Sequence, residues 1–211
     1  MAAGDHEDLV RRTRNLLFPA SADASWPDSL ITSALRLVLT EYMDQSRVRE
    51  ATVTVRAAGY EQDLSGVARL YRIREVAYPW TDGIPFYQRS RKWREIREHV
   101  VVLEDTNLVY EPAAGDEIRV RYTEVHTIEG LDGGTTTTIP VTDQTPLTIG
   151  AAGRACGLRA GDLSEAPGVA ADAIVTLNER RDAYLRDWER WLSREAAAAG
   201  ADPSWPRVGL D

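Results

Sequence analysis

The sequence predicts an α+β fold in which a helical core is interrupted by a large antiparallel β insertion. Apolar residues recur at helical spacing towards both ends of the 211-residue chain, whereas residues 51–139 contain alternating, β-branched stretches separated by turn residues. We therefore divide the chain into an N-terminal arm (1–24), a helical core (25–50 and 140–200), the β-rich insertion (51–139) and an extended C-terminal tail (201–211).

The first long helix is predicted over residues 27–43. Ser25 is a suitable N-cap, and Pro27 is tolerated in a first helical turn. Six apolar side chains then follow at helical spacing: Leu30, Ile31, Ala34, Leu35, Val38 and Tyr42. Their apolar face is wide, which indicates a helix that is packed on two sides.

The β insertion is predicted to hold several short strands. Residues 118–122 alternate cleanly, with Arg119 and Arg121 on the face opposite Ile118, Val120 and Tyr122. The other predicted strands are 51–55, 69–78 (with a bulge), 100–103 and 107–110. The loop 130–138 is rich in glycine and threonine, and its threonines could end as a short strand towards Ile139. We expect this loop to be disordered in the free protein and to become ordered against a partner or the lumen of a ring.

Two helices are predicted after the insertion. The first, over 147–158, has Pro146 in its first turn and many Gly and Ala residues, which allow another helix to approach closely. The second, over 169–199, carries an aromatic stripe of Tyr184, Trp188 and Trp191. We expect this stripe to close the core against helix 27–43; the alternative is that part of it packs on a neighbouring subunit. The charged face of the same helix is predicted to meet the next subunit.

The composition excludes several classes of function. The net charge of −8 argues against nonspecific nucleic-acid binding over the whole surface. The single cysteine, Cys156, forms no internal disulfide and is predicted to be a buried, small apolar residue. No apolar stretch is long enough to span a membrane, and the first ten residues lack the pattern of a signal peptide. We expect a protein of the cytoplasm, or of particles assembled there.

No catalytic constellation is visible. His6, His99 and His126 are scattered, and none forms a metal-ligand pair at usable spacing. The glycines near residue 133 lack the lysine of a phosphate-binding loop, since Lys92 is the only lysine in the chain. We therefore expect no catalytic site, no metal and no cofactor.

A basic cluster stands out in this acidic chain. It contains Arg89, Arg91, Lys92, Arg94 and Arg97 beside the aromatic residues Trp80, Phe86, Tyr87 and Trp93. Arg91, Trp93 and Arg94 are candidates for a protein contact, since Arg and Trp dominate such sites. Two alternatives stay open: a site for single-stranded nucleic acid, and a solvated turn whose arginines pair with Glu95 and Glu98.

The C-terminal tail is also a candidate binding segment. Pro203 and Pro206 prevent it from being helical, yet it carries Trp205, Val208 and Leu210. It either folds back over its own helices or anchors Trp205 in a pocket of a partner.

The order of these elements resembles tailed-bacteriophage neck proteins of the head-to-tail connector or adaptor type. The resemblance rests on the N-terminal helix, a β block with Tyr78-Pro79-Trp80 and residues 113–122, His126-Thr127-Ile128 before a Gly/Thr loop, and the two final helices. It covers most of residues 26–195 as a pattern of elements. The large β block is a departure, because known adaptors have a mainly helical core.

The resemblance implies a structural role without enzymatic activity. It implies a homo-oligomeric ring of about twelve copies in the virion neck. Such a ring binds the portal protein on one side and a tail or stopper protein on the other, and DNA passes through its lumen without sequence-specific contacts. The resemblance also implies that the C-terminal tail docks on the portal, with Trp205 as its anchor. Two alternatives stay open: a tail-completion or tail-associated virion protein, and a small-ligand-binding domain or enzyme whose pocket lies between Trp80 and Trp93.

Overall fold

The computed structural model confirms the predicted α+β class. Helices and antiparallel strands alternate in separate stretches of the chain and not as β-α-β units. The structure describes residues 4–17, 26–45, 48–80, 90–104, 111–166, 168 and 171–200.

Four helices are present in these residues: α1 (His6–Leu17), α2 (Asp28–Gln45), α3 (Val141–Glu165) and α4 (Ala171–Gly200). None of them is long and apolar enough to cross a membrane. Helix α1 belongs to the segment that was predicted as an arm. It buries Leu9, Val10 and Leu17, and it packs against α2 and α3, so these residues are part of the core.

Helix α2 follows its prediction closely. All six predicted apolar positions are buried, and Ile31, Ala34, Leu35 and Val38 are fully enclosed. The wide apolar face is explained by two neighbours, since α2 packs against both α1 and α3.

Helix α3 is longer than predicted at both ends. It begins at Val141, so Pro146 lies inside the helix. Proline has no backbone N–H, and this costs a hydrogen bond beyond the first turn, although it would cost none within it. At the other end Gly161 does not stop the helix, which runs to Glu165. Glycine and proline weaken a helix, but the buried face of α3 provides enough packing to override both.

The small residues of α3 lie where α4 approaches, as predicted. A Cβ atom added to Gly150 would lie 2.8 Å from Cδ2 of Trp188. One added to Gly153 would lie 2.9 Å from Cδ2 of Leu185. Both distances are shorter than carbon atoms tolerate, so these glycines set how closely the two helices pack.

The described strands form two antiparallel sheets. The first has the order β1-β7-β3-β4 and the second β2-β6-β5. Their bounds are β1 (Arg49–Thr54), β2 (Glu61–Asp63), β3 (Leu70–Ala77), β4 (Ser90–Arg91), β5 (Trp93–Arg97), β6 (Val100–Leu103) and β7 (Glu117–Glu124). Strands β1, β3, β6 and β7 match predicted strands, and β3 has the expected bulges. The predicted strand 107–110 lies outside the described residues.

Strand β7 lies in the centre of its sheet, between β1 and β3. Ile118, Val120 and Tyr122 are buried, as the alternation predicts. Arg121 lies on the opposite, polar face of the strand, yet its exposed fraction is only 9%. Neighbouring strands cover it on both sides and supply acidic partners, which the pattern of one strand cannot reveal.

The segment 126–140 corrects two predictions. It contains no strand, because its threonine side chains bond to nearby backbone instead of leaving the backbone free to pair. The hydroxyl of Thr137 donates to the carbonyl of Gly4, and the Thr138 hydroxyl accepts from the amide of Thr127. Leu131 is 4% exposed. The loop 130–138, which was predicted to be disordered, is therefore held by hydrogen bonds and a buried side chain.

The chain divides into two compact units. Met1–Gln45 and His126–Arg194 form the helical unit, and Ser46–Val125 form the body of the β unit. The division falls at Val125, so residues 126–139 lie with the helices, whereas the sequence placed them with the strands. Each unit has its own apolar core.

Candidate partner-binding surfaces

The aromatic stripe of α4 packs inside the helical unit. Trp188 is 1% exposed, and its indole N–H donates to a carboxylate oxygen of Glu41 at 2.9 Å. Its ring stacks on Trp191 with 5.3 Å between centroids, and Trp191 stacks in turn on Tyr42. Tyr184 donates its hydroxyl to the carbonyl of Leu16 at 2.7 Å. Trp188 is therefore part of the core of the helical unit, and Tyr184 and Trp191 pack against that core and are partly buried.

The opposite face of α4 is exposed and charged. Among its residues, Arg190 pairs with Asp187 at 3.2 Å. An exposed pair of this kind contributes little to stability and can exchange partners across an interface. The exposed members of this face are Glu179, Arg186, Asp187, Glu189, Arg190 and Arg194. Arg180, which was predicted on the same face, lies instead on the side of Tyr184 and donates to the carbonyl of Leu17 at 3.5 Å.

The basic cluster is distributed over both sheets. Arg91 lies in β4, where its Nε donates to the carbonyl of Tyr78 at 2.6 Å. Trp93 lies in β5 and packs, half-buried, on the core of the β unit. Arg94 is exposed and pairs with Glu104 at 2.7 Å. Of the three, Arg94 is the one whose side chain is open to a partner.

The arginines of the basic cluster do not form the ion pairs that the solvated-turn alternative predicts. Arg94 pairs with Glu104 and Arg97 with Glu61, both on other strands or at their ends, instead of with Glu95 and Glu98. The cross-strand pairing of β5 brings these acids close. Phe86, Tyr87 and Arg89 lie outside the described residues, as do Trp205, Val208 and Leu210 of the tail.

A charge network on the first sheet was not foreseen as a unit. Arg121 donates to Glu50 at 2.8 Å and to Glu75 at 3.4 Å. It thereby links β7 to both of its neighbouring strands, β1 and β3. Arg119 also donates to Glu50, and its guanidinium lies 5.3 Å from the ring centre of Trp80. The alternation of β7 placed both arginines on one face, but the register that brings Glu50 opposite them is a property of the folded sheet.

A cavity in the helical unit is a further candidate, and no pattern along the chain predicts it. We call it the Trp26 cavity. Its volume is about 310 Å³, and most of its wall is apolar. It is lined by Trp26, Arg159, Leu163, Ala173, Thr176, Leu177 and Arg180. Leu163 lies beyond the predicted end of the Gly/Ala-rich helix, so the wall that it forms with α4 could not be anticipated.

Cys156 and Asp143 are buried titratable groups of the helical unit. Burial raises the pKa of Cys156 to about 11, so its thiol stays protonated and unreactive at neutral pH, as expected of a buried residue. His126 lies edge-on against the ring of Tyr42, which itself donates to the buried Asp143 at 2.7 Å. Over the described ranges, no three His, Cys, Asp or Glu side chains are grouped so that they could hold a metal ion.

Comparisons with known proteins are sparse. No protein-family model matches the chain, and no curated protein matches it. Among solved structures, a chain from the neck of an empty gene transfer agent (GTA) particle, determined with C6 symmetry, is 18% identical, with a TM-score of 0.26 over 86% of this chain and 92% of the other. A chain from the virion of a native GTA particle is 18% identical, with a TM-score of 0.26 over 81% of this chain and 87% of the other. A TM-score this low does not by itself assign a fold or a function.

Proposed function

We propose that this protein is a structural subunit of a phage-like virion neck, where a ring of its copies joins the portal to the tail and lines the DNA channel. The observation that carries the proposal is the architecture: a helical unit interrupted by a β unit and closed by a long helix with an exposed charged face. This order of elements is the one on which the resemblance to connector proteins rests.

The distribution of polar and apolar groups on α4 supports an assembly role. Trp188 and Leu192 anchor the helix to its own unit, so the helix is rigid before it meets a partner. Its exposed face carries charges of both signs. Charge complementarity of this kind fixes the orientation of two subunits more than it adds affinity, which is what a ring of identical copies requires.

The overall charge suits a channel for DNA. A net charge of −8 on each copy repels the phosphate backbone and disfavours tight binding to a passing duplex. We propose that the ring contacts DNA without sequence specificity and without enzymatic activity, and that it is assembled in the host cytoplasm. The number of copies, about twelve by the resemblance, is part of the proposal.

The test is assembly with a portal protein. The full chain is co-expressed with a candidate portal protein from the same genome, and native mass spectrometry and electron microscopy measure the mass and symmetry of the complex. We expect a ring of this chain on the portal. A chain that stays monomeric in the presence of the portal contradicts the proposal, and a ring that binds isolated tail tubes instead favours the tail-associated alternative.

A further inference from the structure

The Trp26 cavity combines features that select a particular kind of occupant. Leu163, Leu177 and the ring of Trp26 offer apolar contacts, whereas its two charged residues, Arg159 and Arg180, are both basic. An apolar or aromatic group that lies close to a carboxylate fits such a lining. In a chain with a net charge of −8, two arginines at one apolar cavity are a local exception.

Trp26 adds a second requirement. Its side chain is 2% exposed, and its indole N–H has no hydrogen-bond acceptor among the described residues. Buried indole N–H groups normally find one. An extended peptide brings a row of backbone carbonyls, and is therefore an occupant able to supply the missing acceptor.

The chain itself contains a segment with these properties. Residues 201–211 follow α4 directly and carry Trp205, with Asp202 three positions before it and Asp211 six positions after it. Pro203 and Pro206 restrict the backbone of this segment, so it loses less conformational entropy on binding than most peptides. An aromatic anchor flanked by carboxylates matches an apolar cavity flanked by arginines.

The length of the tail decides whether Trp205 can reach the Trp26 cavity of its own chain or only that of another copy. Arg180, the lining residue of α4 that lies closest to the end of the helix, precedes Gly200 by 20 residues (200 − 180), which is about 30 Å along the helix axis. Trp205 is five residues beyond Gly200, and a fully extended chain of that length spans at most about 18 Å. The gap of about 12 Å that remains is longer than a tryptophan side chain, so Trp205 cannot enter the cavity of its own chain.

We propose that the Trp26 cavity binds Trp205 from the tail of a second copy of this chain. One copy gives its tail and receives another at a different surface, so the contact is head-to-tail, the kind of contact from which a ring forms when the rotation between copies closes. The inference rests on the proposed ring assembly and names one of its contacts. It replaces the two predicted destinations of the tail, its own helices and the portal, with the neighbouring copy.

The experiment uses three full-length variants. Trp205→Ala removes the anchor, and Ala173→Trp fills the cavity from an exposed position of α4. Val141→Trp is the matched control, since Val141, at the start of α3, is 74% exposed and does not line the cavity. Sedimentation velocity over a range of concentrations measures self-association. We expect the first two variants to raise the dissociation constant by about thirtyfold or more, and the control to leave it unchanged.

Mixing the two defective variants provides the decisive result. Trp205→Ala keeps an open cavity and Ala173→Trp keeps an intact tail, so one functional contact forms between them. We expect a complex of two chains that grows no further, while each variant alone stays monomeric. A parent chain that never associates, or an Ala173→Trp variant that associates like the parent, overturns the inference.

The remaining outcomes separate the inference from the proposed function. A mixed dimer without any ring on the portal leaves the tail contact standing and refutes the neck role. Rings on the portal that both variants still form refute the tail contact and leave the neck role standing. A small anionic ligand that native mass spectrometry detects on the parent but not on Ala173→Trp makes the cavity a ligand site and also refutes the tail contact.

Discussion

The helical unit and the β unit are held together by different interactions. In the helical unit, α3 and α4 pack so closely that Gly150 and Gly153 have no room for a methyl group. In the β unit, one sheet face forms the apolar core, and the opposite face binds its strands together with the charges of Arg121, Glu50 and Glu75. Side-chain volume therefore decides how closely the helices of the first unit pack, whereas charge pairing helps to hold the strands of the second unit together.

The largest effect is expected at Trp188. Trp188→Ala removes a side chain that is 1% exposed, together with its hydrogen bond to Glu41 and its stacking on Trp191. The free energy of unfolding should fall by about 3–5 kcal/mol in a denaturant titration. Val175→Ala on the same helix is the control, and a Trp188→Ala protein that melts like the parent would refute the assignment of this residue to the core.

A smaller loss is expected when a methyl group is added. Gly150→Ala improves the intrinsic helix propensity by about 1 kcal/mol, but its Cβ meets the enclosed ring of Trp188. Overpacking of this kind costs about 1–3 kcal/mol, so we expect a net loss of stability in thermal denaturation. Gly161→Ala in the same helix has open space around its Cβ and should be stabilising. Equal behaviour of the two variants would show that the helices do not pack as closely as described.

The charge network of the β unit should be less sensitive. Arg121→Ala leaves Glu50 and Glu75 without their shared partner, but both carboxylates are about one-third exposed and regain water. We expect a loss of about 1–3 kcal/mol in urea denaturation. The exposed pair of Arg94 with Glu104 is the matched comparison, and Arg94→Ala should lose less than about 1 kcal/mol. Similar losses at the two arginines would mean that burial in the sheet adds nothing to the network.

The smallest effect concerns pH and returns to the helical unit. Burial opposes ionisation of Asp8, but the amide of Gly4 and the guanidinium groups of Arg12 and Arg11 outweigh it and lower the pKa from its usual 3.8. The folded state therefore holds its proton less tightly than the unfolded state. The resulting stabilisation is present above the unfolded pKa and is lost as pH falls through the folded pKa.

Asp8→Asn should reveal this contribution. The stability difference between parent and variant should be largest near pH 6 and should shrink as the pH is lowered through 4 towards 3, as followed by thermal melting. A difference that is constant over this range would show that the carboxylate charge has no part in it.

The sequence predicted the central elements of both units. The buried face of α2 and the alternation of β7 follow from local patterns, and both were confirmed. Strand β5 was missed because its residues are charged and mostly exposed, so no alternation marks it. The ends of α3 were missed because Pro146 and Gly161 are usual helix breakers, and only tertiary packing overrides them.

The candidate sites were harder to predict, for a physical reason. Patterns along the chain identify which side chains are unusual, such as Trp188 or Arg91, but not what contacts them. The Trp26 cavity needs residues from three places, Trp26, the end of α3 and the start of α4, and no local pattern relates them. The ordered loop 130–138 depends likewise on contacts with Gly4, more than a hundred residues away.

The discontinuous helical unit has a consequence for synthesis on the ribosome. The apolar face of α2 emerges early, but α3, which covers it, follows about a hundred residues later. At typical rates of translation, Ile31 and Leu35 wait roughly 5–20 seconds for their partners. The strands between them complete their own sheets during this interval. A chain released before residue 141 would leave the α2 face uncovered, so premature termination should give aggregated and not merely shortened protein.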